Sequence, residues 1–396
     1  MNQASVLGCS AIRIGQYMPG TGATGAVLEH ERLIEVTLQA LANADVCAHE
    51  VGALVFTGNA PPTLQKGFPP FFASKIGIRP DAQMLEVSNM GATGGTAFDL
   101  AVNEVQLGHT DVALALGVHF ETQAMTREAM ANGIRSVGDV DFQSIYGLTP
   151  VAWYGLDAAR YLHEFSDVSR RHLASIAVKS RQFSQHNPIA QNLGELTIEE
   201  VLGAPTVVAP LGLYDVPPRG DGAICVVVGR NERASGTPRV DVLGRGFAHD
   251  GHHQMGRYPH SMLDIPAAKA AVERAFSDSS VSEKDVDVRE LYAPCTITEA
   301  MVTESIGLFP AGQGALAAAE DRTGPEGDFP VNTSGGCLAR GHPTNVTGLY
   351  SVLEVYEQLL GIAEGRQVKN AETGISLCEL GNYNASLAHV FRRSDA

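Results

Sequence analysis

One order of elements runs through this chain twice, and that repetition limits the fold more than any single motif. In the first half, Glu31 to Ala42 carries Ile34, Leu38, Leu41 and Ala42 at helical spacing, and Val51 to Phe56 then reads as a buried strand. A turn-rich stretch from Gly58 to Gly67 leads to a helix near Pro69 to Ile76 and a short strand at Met84 to Val87. A loop of small residues, Ser88 to Gly95, opens a helix over Thr96 to Leu107, followed by an apolar strand, Asp111 to Gly117, of the kind covered on both faces. The second half repeats the order: helix Ala267 to Phe276, strand Asp287 to Tyr292, strand-to-glycine loop Val331 to Gly336, helix Leu349 to Gly361, strand Thr373 to Gly381. Two halves with one βα order predict a duplicated α/β fold, each half a mixed sheet flanked by helices.

The expected boundary lies near Pro238, giving an N-terminal half over 1–237 and a C-terminal half over 238–396. The first half carries an insertion over 118–220, with helical runs at Val151 to Phe165 and Ser169 to His186, which reads either as a lid or as a dimer surface. Pro205 to Asp221 is a connection marked by proline and glycine, and Gly222 to Gly229 is a further buried strand.

Composition narrows the partners. With 28 basic and 44 acidic residues the net charge is −16, which disfavours nucleic acid and anionic membrane surfaces, since no long basic run offsets it. Met1 to Arg13 lacks the basic flank and long apolar core of a signal peptide, and no stretch approaches the roughly 20 apolar residues of a membrane span, so the expected location is the cytoplasm. The cysteines Cys9, Cys47, Cys225, Cys295, Cys337 and Cys378 are scattered singly and are expected to be reduced thiols.

Five segments, in this order, resemble the thiolase superfamily over essentially the whole chain, nearest its sterol-carrier-protein thiolase and lipid-transfer branch. They are SNMGATGG (88–95), GLTPVAWYGLDAARYLHEF (147–165), DGAICVVV (221–228), ELYAPCTITEA (290–300) and NTSGGCLARGHP (332–343). The resemblance implies a thiolase fold in five αβαβα layers and a homodimer, placed here across a sheet edge near Asp111 to Gly117. In that family the first glycine loop holds a nucleophilic cysteine at the head of a helix, where the partial positive charge favours a thiolate. Here that position is Gly91. A hydrogen cannot be acylated, so acyl-enzyme chemistry is not expected. The second motif has Tyr292 where the family usually has His or Asn, while Gly341-His342-Pro343 keeps the family's catalytic histidine. Cys378 to Tyr383 corresponds loosely to the family's fourth motif. A lost nucleophile together with a new tyrosine resembles the thiolase-like steroid side-chain aldolases. Those carry tyrosine where His342 stands, and they work with a small OB-fold or zinc-ribbon partner.

The candidate catalytic groups are therefore Tyr292 and His342. A phenol of ordinary pKa about 10 is a poor base at neutral pH unless a neighbour assists, and His342 is the candidate neighbour. The bland alternatives are a satisfied buried tyrosine and an imidazole left over from a thiolase ancestor. Gly91, His119, Gly335, Gly336, Cys337 and Tyr383 are candidate substrate-binding positions, the glycines for close backbone approach to a ligand. His119 precedes Phe120-Glu121, and a core or partner-facing histidine competes with a tunnel-lining one. Cys295 and Cys337 are the credible replacement nucleophiles, although neither is expected to head a helix. The cluster His249, His252, His253 and His260 around Asp250 matches no metal spacing and reads as a solvated loop.

The leading expectation is a carbon–carbon lyase of the retro-aldol type on a bulky, steroid-like β-hydroxyacyl-CoA, with coenzyme A entering only as part of the substrate and no metal or other cofactor. The competing expectations are a noncatalytic acyl-CoA or lipid-binding subunit of a complex, and an acyltransferase using another cysteine.

Overall fold

A computed structural model describes residues 3–17, 25–58, 67–120, 137–139, 141, 143–191, 194–234, 238–250 and 261–394. In the first half, strands β1 (Ala4–Ala11), β2 (Ala53–Phe56), β3 (Gln83–Glu86) and β4 (Val112–His119) alternate with helices α1 (Gly25–Asn43), α2 (Phe68–Ile76) and α3 (Thr93–Gln106). The inserted segment contributes α4 (Pro150–Glu164), α5 (Arg170–Ser184), α6 (Ile198–Gly203) and the small strands β5 (Thr206–Val208) and β6 (Leu211–Gly212). β7 (Gly222–Arg230) completes the half. The second half runs β8 (Arg239–His249), α7 (Pro266–Ser279), β9 (Val288–Leu291), α8 (Thr296–Ser305), α9 (Gly314–Ala319), α10 (Gly336–Ala339), α11 (Thr347–Leu360), β10 (Thr373–Leu380) and β11 (Ala385–Ser394).

The main sheet has the order β3-β2-β4-β7-β1-β8-β11-β10-β9. The duplication is visible in its directions. β2 lies parallel to β4, β4 antiparallel to β7, and β7 antiparallel to β1. In the second half β9 lies parallel to β10, β10 antiparallel to β11, and β11 antiparallel to β8. Even β3, parallel to β2, has a vestigial counterpart in the parallel bridge of Val331 to Arg289 on β9. Among the described residues, Ser5 opposite Asp241 and Val6 opposite Val240 join the two halves of the sheet.

Between the halves lie α3 and α11, the equivalent helices of the repeat. Ala97 and Phe98 of α3 and Leu349 and Tyr350 of α11 share one apolar core with Ala113, Val226 and Phe391 from the sheet. Small residues set how close the helices come. A Cβ added to Gly348 would lie 2.7 Å from the backbone nitrogen of Gly95, and one added to Gly94 would lie 3.1 Å from the backbone nitrogen of Leu349. With α1 and α7 covering the outer faces, this is the αβαβα arrangement expected of a thiolase fold.

One expectation is corrected. β4 is buried along its whole length and hydrogen-bonded to β2 on one side and β7 on the other, so Asp111 to Gly117 offers no edge to a second copy. The inserted helices α4 and α5 pack against the second half of the chain. Thr149 caps α4, its hydroxyl accepting from the Ala152 N–H at 3.4 Å, and Pro150 opens the helix with its φ already set. The buried faces of these helices, with Tyr161, Leu173 and Ile176, enter the same core as Ala300, Met301 and Leu308 of the second half. A buried ion pair between Lys179 of α5 and Glu299 of α8 fixes that contact. Lys179 also donates to the Thr323 hydroxyl at 2.9 Å, and Asn332 donates to Glu299 at 2.8 Å.

Candidate active site

Tyr292 is the first residue beyond β9, and its N–H still donates to the Leu377 carbonyl of β10 at 2.9 Å, so the end of the sheet fixes its backbone. His342 follows Gly341, whose φ of +119° is open to glycine alone among common residues and lets the chain turn sharply out of α10. Gly91 lies in the 3₁₀ turn Met90–Ala92 that leads into α3. Three segments far apart in sequence therefore converge where strands β9 and β10 end and α3 begins, the end of an α/β sheet at which sites form.

The Tyr292 hydroxyl and His342 Nε2 are 2.7 Å apart, with the rings edge to face at 79°. With the imidazole proton on Nδ1, the phenol donates and Nε2 accepts. Tyr292 is 1% exposed. A Cβ built on Gly91 would sit 3.1 Å from the Tyr292 oxygen and 2.9 Å from the Glu379 carbonyl oxygen. The room a cysteine side chain needs is thus taken by the phenol, and the two departures from the family pattern are one spatial exchange: a hydroxyl stands where the thiol would be.

Electrostatics decide how that hydroxyl can work. Burial pushes the Tyr292 phenol well above its ordinary value, and the nearby Cys337, Glu379 and Cys378 add to the rise, with only the Thr347 hydroxyl pulling the other way. No standing phenolate is available at neutral pH.

A buried clamp, not anticipated from the sequence, holds the dyad. Glu290, two residues before Tyr292, pairs with Arg340, two residues before His342, at 3.2 Å, and both side chains are 1% exposed. Ser334 completes it: its N–H and hydroxyl donate to Glu290 at 3.2 and 2.8 Å, and Arg340 donates to its hydroxyl at 3.1 Å. Behind Tyr292, the Tyr383 hydroxyl donates to the Tyr292 carbonyl. Tyr383, a candidate substrate-binding position, thus makes its hydroxyl contact to the backbone of Tyr292. Tyr154 of α4 donates to the Glu379 carboxyl at 3.0 Å.

The other sequence candidates scatter. Gly335 and Gly336 adopt φ of +92° and +53°. A Cβ on Gly335 would strike Ser184 of α5 at 2.7 Å, so the glycine lets α5 pack closely there. His119 is buried at the end of β4, opposite Gly222, which itself packs on Pro343 beside His342. It borders the site without joining the dyad. His249 is exposed at the end of β8, while His252, His253, His260 and Glu121 lie outside the described residues. Contrary to expectation, both candidate cysteines do stand at helix starts, Cys295 as the residue before α8 and Cys337 as the second residue of α10. Neither gains a thiolate from it. Burial pushes Cys337 up to about 12 and Cys295 well above the ordinary thiol range. Cys378, also near 12, fills the gap beside Gly95 and Gly348. Of the six cysteines only Cys47 is exposed. A thiol-alkylating reagent on the folded protein is therefore expected to modify Cys47 alone, and mass spectrometry after incubation with acyl-CoA should find no adduct on Cys295 or Cys337. An acyl group on either would reinstate the acyltransferase reading.

An open polar cleft of about 410 Å³ between His49, Arg79, His109 and Asp111 lies at the opposite ends of β2 and β4 and touches none of these residues. Glu379 and Tyr154 could have been suspected from sequence, since an acid inside the apolar run ISLCEL (375–380) must find a partner or stay neutral.

The thiolase N-terminal domain model matches residues 10–199, and the thiolase C-terminal domain-like model matches residues 248–393. An acetyl-CoA acetyltransferase of Methanothermobacter thermautotrophicus is 28% identical over 396 residues, 99% of this chain and 100% of the relative. Sterol carrier protein 2 of Bos taurus is 28% identical over 304 residues, 74% of this chain and 56% of the relative. Among solved structures, the Ltp2-ChsH2(DUF35) aldolase superimposes with a TM-score of 0.81 at 21% identity, covering 98% of this chain and 97% of that one. With both halves matched and the duplicated fold in place, the chain belongs to the thiolase superfamily, on the branch that includes the sterol-carrier-protein thiolases and lipid-transfer proteins.

Proposed function

We propose that this protein is a carbon–carbon lyase that cleaves a bulky, steroid-like β-hydroxyacyl-CoA by a retro-aldol reaction. The observation that carries the reading is the Tyr292 hydroxyl, held 2.7 Å from His342 in the place of the missing thiol. In the proposed step the substrate's β-hydroxyl gives its proton to Tyr292 as Tyr292 gives its own to His342 Nε2. The Cα–Cβ bond breaks, the β-carbon becomes a ketone or aldehyde, and the electron pair moves into the thioester enolate. The imidazolium proton, returned through the phenol, ends on the α-carbon. Atoms and electrons balance with no added oxidant, metal or cofactor, and coenzyme A is only the handle of the substrate. A relay of this kind avoids forming a free phenolate in a buried site, where burial disfavours the charged form.

The same reading includes a cytoplasmic homodimer and a small OB-fold or zinc-ribbon companion; in the solved aldolase of this fold, Ltp2 is assembled with ChsH2 (DUF35). The test is purified protein, alone and with its coexpressed companion, incubated with a β-hydroxyacyl-CoA and separately with acetoacetyl-CoA plus free CoA. Carbonyl product is expected from the first and no acetyl-CoA from the second, because Gly91 offers no sulfur to acylate. Thiolysis at thiolase rates would sink the reading. Tight acyl-CoA binding without turnover in either preparation would make the chain a noncatalytic subunit.

A further inference from the structure

Just beyond β10 the chain makes a turn that most residues avoid. Gly381, Asn382 and Tyr383 have φ of +49°, +52° and +63°, so a bulky tyrosine sits in the left-handed region directly behind the dyad. Such a conformation persists only where its surroundings hold it. The Glu379 carboxyl is what holds this one: it accepts the Tyr383 N–H and, from the other side, the Tyr154 hydroxyl at 3.0 Å. Tyr383 in turn donates its hydroxyl to the Tyr292 carbonyl, and the Glu379 carbonyl oxygen lines the Gly91 position. A continuous chain of hydrogen bonds therefore runs from Glu379 through Tyr383 to the backbone of Tyr292.

We propose that Glu379 is a positioning residue of the Tyr292–His342 dyad, acting through Tyr383, and that it does so as an uncharged carboxylic acid. The catalytic role rests on the lyase reading, but the positioning itself does not. Glu379 is buried, and among the described residues it forms no ion pair. The titratable groups facing it are Tyr154 from α4, Cys295 before α8, Tyr292 after β9, Cys337 of α10, and its neighbours Cys378 and Tyr383, every one neutral at neutral pH. A carboxylate with no cation in such a place is costly. Consistently, burial lifts the Glu379 carboxyl to about 8, with the Tyr154 and Tyr383 hydrogen bonds opposing the rise. The sign follows. Between the unfolded value of about 4.3 and the folded value the native protein holds a proton that the unfolded chain releases, so stability and positioning are lost as pH rises through about 8.

The experiment compares wild type, Glu379→Gln and Tyr154→Phe in two ways: ketone release from a β-hydroxyacyl-CoA across pH 6 to 9.5, and histidine ring-nitrogen NMR of the same proteins without substrate. Wild-type kcat is expected to fall about tenfold between pH 7 and 9, as a group titrating near 8 requires. The neutral amide of Glu379→Gln should cost about fivefold at pH 7 and abolish the alkaline limb. Tyr154→Phe should move that limb to higher pH, because a hydrogen bond that favours the carboxylate is gone. In the spectra, the His342 signals should shift near pH 8 in wild type and stay put in Glu379→Gln. Identical His342 titrations in the two proteins overturn the proposal, as does a Glu379→Gln chain that cannot fold. The expected spectra with no ketone released from any of the three proteins would instead overturn the lyase reading and leave Glu379 where it is proposed to act.

Discussion

Tyr292→Phe is expected to lower ketone release by about 10²–10⁴ while leaving the protein folded, because loss of a positioned acid or base typically costs that much in rate. The substitution removes one oxygen and keeps the ring that fills the space above Gly91. What it deletes is the 2.7 Å bond to His342, and with it the path by which a substrate proton reaches the imidazole. Thermal unfolding should stay near that of wild type, and acyl-CoA binding should persist. Steady-state kinetics and calorimetry on the two proteins check both halves of the claim. Equal rates would take Tyr292 out of the mechanism and leave the binding-subunit reading standing.

Arg340→Met should act on stability, and strongly. Glu290 and Arg340 are each 1% exposed, and removing one partner of a buried pair costs about 3–5 kcal/mol because the other is left buried and uncompensated. The cost should depend on pH in one direction. Burial already lifts the Glu290 carboxyl to about 7 against the pull of Arg340, and deleting the guanidinium lifts it further. Below that value the variant can protonate Glu290 and recover part of the loss. Wild type holds the same proton below about 7, so the deficit should widen only above that value, where wild-type Glu290 is ionised and the variant's folded state still holds a proton the unfolded chain releases. Glu290→Ala lacks this relief, since Arg340 cannot shed its charge. Denaturant melts of both variants at pH 5.5 and 8 would show the asymmetry, and a deficit independent of pH in Arg340→Met would refute it. Both variants should also lose activity, because the clamp spans the two motifs that carry Tyr292 and His342.

How much of this was readable beforehand depends on what kind of signal each element left. β2, β4, β7 and β10 are covered on both faces and announce themselves as apolar runs, and α1, α3, α7 and α11 as periodic ones. β1, β8 and β11 were not anticipated. ASVLGCSA is small-residued, RVDVLGRGFAH carries polar residues and two glycines, and ASLAHVFRRS ends in charge, so only their pairing with one another makes them strands. α8, with the sequence TITEAMVTES, is rich in β-branched residues and buried on nearly every side, so neither propensity nor amphipathicity marks it as a helix. At the site, Gly91, Tyr292 and His342 were legible because each sits in a motif with a fixed partner sequence. The Glu290–Arg340 clamp was not, although both residues lie within those motifs, because pairing across 50 positions is a property of the fold. The left-handed backbone of Tyr383, whose hydroxyl reaches the Tyr292 carbonyl, likewise leaves no mark in sequence.

The seam between the two half-sheets has a topological consequence. Asp241 of β8 faces Ser5 of β1 on one side and Arg392 of β11 on the other, and the Ser5 hydroxyl donates to it at 2.6 Å. The first and last strands of the sheet thus run side by side in the same direction, separated by the width of one strand. From strand spacing and rise, Ser394 and Ala4 are roughly 10–15 Å apart. A permuted chain that begins before β8, passes from Ser394 to Ala4 by a crossover over β8 and ends after β7 would keep the same strand order, placing His342 ahead of Gly91 in sequence and nowhere new in space.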